Sequence, residues 1–150
     1  MKVSDVRPGL ELGPSEWREV TQERIDAFAA ATDDPQWIHV DPARAAAGPC
    51  GTTIADGYLT LALLVPFAYE LLPVEDAALT VNYGLNRVRF PSPVPSGSRV
   101  RARFRVEGVE QVTGGTQVTL AAAVEREGAE KPVCVAELVF RFLTDTGGTR

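Results

Sequence analysis

The chain has 150 residues, a 45% hydrophobic fraction and a formal net charge of -5 from 20 acidic and 15 basic side chains. Such a length and apolar content suit one domain with a real core and exclude a disordered chain. The acidic balance argues against nucleic acid as a general partner, but it leaves room for a small anionic ligand held by local arginines.

Residues 1 to 14 carry Pro8, Gly9, Gly13 and Pro14, so they read as an irregular lead-in; they lack the apolar stretch of a signal peptide. Trp17 to Val20 suits a short first strand. Thr21 is a helix cap with Glu23 in the first turn, and Ile25, Phe28, Ala29 and Thr32 share one helical face. This amphipathic helix delivers the chain to Asp34.

Pro35 biases Asp34 toward extended backbone, so the stretch Ala31-Thr32-Asp33-Asp34-Pro35-Gln36-Trp37-Ile38-His39-Val40-Asp41 reads as a bent loop. It holds the single histidine, His39, five residues after Asp34. On a loop that folds back, both groups can point at one water molecule or one substrate proton. Histidine titrates near neutral pH and burial tunes a carboxylate, so the pair can move a proton either way. The plainer alternative is a structural, hydrogen-bonded histidine between Ile38 and Val40, capped by Asp41. No metal is expected: zinc would want further His or Cys ligands and only Cys50 is near, while Asp33, Asp34 and Asp41 lack the spacing of a calcium loop.

Asp41-Pro42 starts a second helix, with Ala43 to Ala47 as its body and Gly48-Pro49 as its end. Cys50 to Gly57 is a loop of small residues whose bare backbone can approach a ligand. Gly57 to Leu72 carries a single charge and is apolar on nearly every side, the pattern of a core helix buried all round, with a kink or lost hydrogen bond at Pro66. Free N–H groups around Asp56, Gly57 and Tyr58 at its start can receive a developing negative charge.

After Pro73 the chain reads as strands joined by turns. Leu79 to Tyr83 and Asn86 to Phe90 are two short strands broken at Gly84, and Pro91 to Gly97 is a rigid turn. Val100, Ala102, Phe104 and Val106 alternate with Arg99, Arg101, Arg103 and Arg105, a half-buried strand with a basic outer face. Val118, Leu120, Ala122 and Val124 alternate likewise, and Val133 to Leu143 is apolar on both faces and so central. A buried helix followed by antiparallel strands, without βαβ alternation, is an α+β design with the sheet packed on the helix. The arginine stripe is either a solvated strand face or a contact for phosphates or an acidic carrier protein.

Cys50 and Cys134 form no CxxC pair, the usage of a reduced cytosolic protein. The longest apolar run, Tyr58 to Tyr69, is too short to span a bilayer. The expectation is a cytoplasmic protein with no membrane partner.

The Ala31 to Asp41 stretch, extended from Phe28 to Pro42, together with Gly51 to Gly57 and Asn82 to Pro91, resembles the MaoC-like dehydratases and (R)-specific enoyl-CoA hydratases of the hot-dog fold. Within them it looks closest to the nodulation-protein-N-like branch. Asp-x4-His, placed after one helix and before the core helix, is the most specific element, and the likeness runs from about Trp17 to Phe142. The resemblance implies one hot-dog domain over residues 1 to 150, with a curved antiparallel sheet wrapped around a central helix at about 57 to 72, and two subunits paired as a homodimer.

It further implies that Asp34 and His39 hold the water that adds to, or leaves from, an enoyl thioester, and that the Gly57 N–H binds the thioester oxygen. Asp56, Tyr58, Asn86 and Arg87 are further substrate-binding candidates; Asn86 can instead serve the backbone of its turn. The substrate would be a coenzyme A or acyl carrier protein thioester, with no other cofactor. Three departures stand out: Asp56 where many relatives have histidine, Asp33 where glycine is common, and Gln36-Trp37 in place of Asn-Pro. Two alternatives are a hot-dog thioesterase, which would not require His39, and an acyl-binding subunit without turnover, which Asp56 favours.

Overall fold

Alternating apolar and charged residues from Arg99 to Val106 sit at the heart of a six-stranded antiparallel sheet in the computed structural model, which describes residues 1 to 144. In chain order the strands are β1 (Glu11–Leu12), β2 (Arg18–Val20), β3 (Leu79–Arg89), β4 (Ser98–Val112), β5 (Gly115–Arg126) and β6 (Cys134–Leu143). In space they run β1-β4-β5-β6-β3, with β2 also paired to β4. The register sets Ala102 opposite Val124, Phe104 opposite Ala122 and Val106 opposite Leu120, so one face of the sheet is continuously apolar and buried.

That face packs on the helix made by the Gly57 to Leu72 stretch. Leu59, Leu63, Leu64, Phe67 and Ala68 join the strand residues in one core, and each large side chain there contributes about 1.5–3 kcal/mol by leaving water. A helix held against one antiparallel sheet in this way is the hot-dog fold. The helix is not one rod, however. It is α4 (Gly57–Ala62) followed by α5 (Leu64–Leu71), reset at Leu63. Pro66 has no N–H to offer the Ala62 carbonyl, so the interruption falls in the turn before the proline. Nor is it buried all round: Tyr58 and Tyr69 are 70% and 52% exposed.

Other local expectations are corrected. The lead-in contains a 3-10 turn, Val3–Asp5, and the short strand β1. Gly84 does not break β3; bulges at Tyr83 and Asn86 absorb an extra residue each while pairing to β6 continues. As expected, β6 lies inside the sheet, between β5 and β3.

The arginine stripe is a solvated face held by carboxylates. Arg101 and Arg103 each lie 2.8 Å from Glu125, and Arg99 lies 3.1 Å from Glu127. Burial works to raise the Glu125 carboxyl, but hydrogen bonds and charge from Arg101 and Arg103 outweigh it and hold it below the ordinary carboxylate range.

Three further helices lie ahead of the core helix: α1 (Gln22–Thr32), α2 (Trp37–Val40) and α3 (Pro42–Ala46). Thr21 caps α1 by accepting from the Arg24 N–H, and Asp41 caps α3 by accepting from the Arg44 N–H. Ile25 and Ala29 are buried and Phe28 packs partly on the core, whereas Thr32 is exposed. Among the described residues no helix is long and apolar enough to cross a membrane.

Candidate active site

The site begins where α1 ends. Asp33 takes the left-handed conformation, φ 56°, which aspartate tolerates better than most side chains, and the Asp34 N–H returns to the Ala29 carbonyl at 3.0 Å. The Asp34 carboxylate then accepts from the Gln36 N–H at 3.3 Å, tightening the reversal. The segment is not a loop throughout: α2 is one helical turn, and it carries His39. The reversal at Asp33 ahead of this turn lets the two side chains meet.

His39 is 7% exposed and fixed from several sides. Its Nδ1 lies 2.7 Å from the Ile54 carbonyl oxygen, and the Ile54 N–H donates to the Ile38 carbonyl at 3.0 Å. Gln22 donates through Nε2 to the His39 carbonyl and to Asp26, at 2.8 Å each, and accepts from the Thr53 hydroxyl. A carbonyl only accepts, so Nδ1 carries the proton of the neutral ring and Nε2 presents a lone pair. Asp41 closes the turn that carries His39, its N–H donating to the Trp37 carbonyl at 3.0 Å, and its carboxylate also caps α3.

Asp56 meets the pair from the start of α4. Its Oδ1 accepts from the Tyr58 N–H at 2.7 Å as the helix cap, and its Oδ2 stands 3.8 Å from His39 Nε2. Asp34, His39 and Asp56 each place one polar atom within 4.8 Å of the others. Among the described residues no lysine or arginine forms an ion pair with either carboxylate.

The cap also corrects one expectation. The Tyr58 N–H is already taken, so among the described residues the N–H groups of Asp56 and Gly57 are the ones without a hydrogen-bond partner at this helix start. Gly57 lies flat against the Phe90 ring, where a Cβ would come within 3.0–3.2 Å of ring carbons. A cavity of about 460 Å³ opens here, lined by His39, Cys50, Gly57, Thr60 and Phe90 among others. A smaller apolar recess of about 100 Å³, against Trp37 and Pro49, shares Cys50 and Ile54 with it.

Asn86 and Arg87 are not brought to this cluster or to the cavity wall. Asn86 sits at a bulge and donates to Glu137 on β6 at 2.6 Å, on the face of the sheet away from the core, and Arg87 is exposed on the same strand. The Tyr58 ring points outward and meets Phe90 edge-on, centroids 6.5 Å apart. Sequence reasoning missed Gln22, Thr53 and Phe90; nothing in their local pattern distinguishes them from surface or turn residues.

A family model described as MaoC like domain matches residues 4–128. The chain belongs to the MaoC-like family. This MaoC-like chain is 54% identical over 136 residues to 3-hydroxyacyl-thioester dehydratase Z of Mycobacterium tuberculosis, spanning 90% of each. It is 45% identical over 145 residues to nodulation protein N of Rhizobium leguminosarum bv. viciae, spanning 93% of this chain and 89% of that one. Its fold matches that of the (R)-hydratase of A. caviae involved in PHA biosynthesis, with a TM-score of 0.78 at 22% identity over 93% of this chain and 99% of the other.

Proposed function

We propose that this MaoC-like protein is a hydro-lyase that reversibly adds water to a trans-2-enoyl thioester, giving the (R)-3-hydroxyacyl thioester. The observation that carries the reading is the convergence of Asp34 and His39 Nε2. Two groups each at hydrogen-bond length from one water, about 2.8 Å, stand roughly 4–5 Å apart. The cluster admits such a water, since its three polar atoms all lie within 4.8 Å of one another.

In the hydration direction the water oxygen bonds to C3 while its proton passes to the Asp34–His39 pair. The displaced electrons of the double bond move to C2 and the thioester oxygen, where the Gly57 N–H at the helix start meets the enolate charge. The same pair then returns a proton to C2, so hydroxyl and hydrogen arrive on one face. The thioester is the substrate and no other cofactor takes part.

Asp56 is the one feature favouring an acyl-binding subunit without turnover. Its cap to Tyr58 gives it an ordinary reason to be there, and that weakens the alternative. A thioesterase would leave the fixed tautomer of His39 without a task.

We further infer one hot-dog domain acting as a cytoplasmic homodimer. The outer edge of β3 pairs with no strand among the described residues and exposes Leu79, Tyr83 and Leu85, a surface that a second copy would cover. Cys50 and Cys134 are both free thiols, in keeping with a reducing compartment. Arg87, exposed on β3 without an ion pair among the described residues, is available to the phosphates of coenzyme A or the prosthetic group of a carrier protein.

The test is the loss of the conjugated absorbance of crotonyl-CoA. Wild type should hydrate it and Asp34→Asn should be slower by about two to four powers of ten, with folding retained. Equal rates in the two proteins would refute the assignment.

A further inference from the structure

The Asp34–His39–Asp56 cluster has a second property that the hydration reaction does not use. We propose that it binds one divalent transition-metal ion of the zinc class, through a carboxylate oxygen of Asp34, Nε2 of His39 and Oδ2 of Asp56, and that this ion shuts the enzyme off.

Three observations carry the site. The His39 side chain is only 9% exposed, and Nε2, without a hydrogen bond among the described residues, is aimed at Asp56 Oδ2 3.8 Å away. Its Nδ1 is held at 2.7 Å by the Ile54 carbonyl, the outer contact that orients an imidazole ligand and directs its other nitrogen at a metal. Two carboxylates face this nitrogen with no lysine or arginine in ion-pair reach among the described residues, so a dication would meet two uncompensated negative charges.

The spacing is close to what zinc requires. With ligand bonds of about 2.0–2.2 Å, two ligands of a tetrahedral ion stand roughly 3–4 Å apart. The His39–Asp56 separation already falls there, and the outermost pair, within 4.8 Å, closes by rotating a carboxylate. Asp56 can ligate through Oδ2 while Oδ1 keeps its cap on the Tyr58 N–H. One nitrogen and two oxygens suit zinc, nickel or copper better than calcium, which wants six to eight oxygens, or magnesium, which keeps its water.

The inhibitory half rests on the hydratase reading. A bound ion occupies the His39 lone pair and the Asp34 oxygen, the two groups that must take the proton of the attacking water. Neither can then act as a base.

Chelator-treated protein is titrated with zinc chloride by calorimetry and with cobalt(II) by visible absorption. Wild type is compared with His39→Gln and with Asp56→Asn, which keeps a helix cap. Thermal melting establishes that each variant is folded, and Asp34→Asn replaces any that is not. The expected result is one ion per chain, with affinity at least about tenfold weaker in the ligand variants. Turnover of crotonyl-CoA should fall in step with zinc uptake and return with EDTA. No uptake, or equal uptake by wild type and variants, overturns the site. Uptake that leaves turnover unchanged overturns the inhibition. Uptake by a protein that hydrates no enoyl thioester would refute the hydratase reading and leave the metal site standing.

Discussion

The Nδ1 of His39 lies 2.7 Å from the carbonyl oxygen of Ile54, fifteen residues further along the chain. This contact fixes which nitrogen is free, and Asp34 and Asp56 each place a carboxylate oxygen beside the imidazole.

Replacing His39 by glutamine keeps a polar side chain of similar reach but removes the base. Turnover should fall by about two to four powers of ten. Circular dichroism and thermal melting should show the fold retained. Unfolding of both His39→Gln and His39→Ala would mark the residue as structural.

Gln22 spends both donors and its acceptor on Asp26, the His39 carbonyl and Thr53. Gln22→Leu leaves those partners unsatisfied and frees the turn that aims the imidazole. Stability should fall by about 1–3 kcal/mol, and kcat by roughly tenfold to a hundredfold through misplacement, with a smaller change in KM. Steady-state kinetics with a denaturant melt separates the two effects.

The two thiols should differ. Burial pushes the Cys134 thiol up to about 11, so it is inert in the folded protein, whereas Cys50 is exposed on the wall of the cavity that also contains His39. N-ethylmaleimide should label Cys50 alone until the protein is unfolded. The label should slow turnover, and Cys50→Ser should resist the reagent. Mass spectrometry of the modified peptides reports which thiol reacted.

Glu125 gives a stability prediction with a sign. Its folded carboxyl titrates below the ordinary range because Arg101 and Arg103 outweigh the effect of burial. The stabilisation is therefore present in full above the unfolded carboxylate range and is lost as pH falls through the folded value. Since these side chains are partly exposed, Glu125→Gln should cost less than about 1 kcal/mol at neutral pH. In urea melts the difference from wild type should shrink as the medium is made acidic.

The parts of this structure that were legible in the sequence are those set by near neighbours. Thr21 and Asp41-Pro42 cap helices through groups three residues away, and the alternation around Val100 to Val106 needs only the pleat of a strand. Asp34 and His39 could be paired because five residues and a proline bound the geometry. What stayed hidden depends on distant partners. Asn86 turns to Glu137, and β3 runs past Gly84 because β6 holds it on both sides of the bulges. Asp56 divides its oxygens between the Tyr58 N–H and His39; the helix start was legible around residue 56, but the reach to His39 depends on how two distant segments fold together.

The most direct measurement of the central claim is the stereochemistry of hydration. Crotonyl-CoA is hydrated by the enzyme in D2O and the product is analysed by NMR and chiral chromatography. One cluster, acting from one side as both base and acid, should place deuterium at C2 and hydroxyl at C3 on the same face, and the alcohol should be (R). Anti addition would contradict a reaction run by Asp34 and His39 on a single face, and an (S) or racemic alcohol would contradict the (R) assignment.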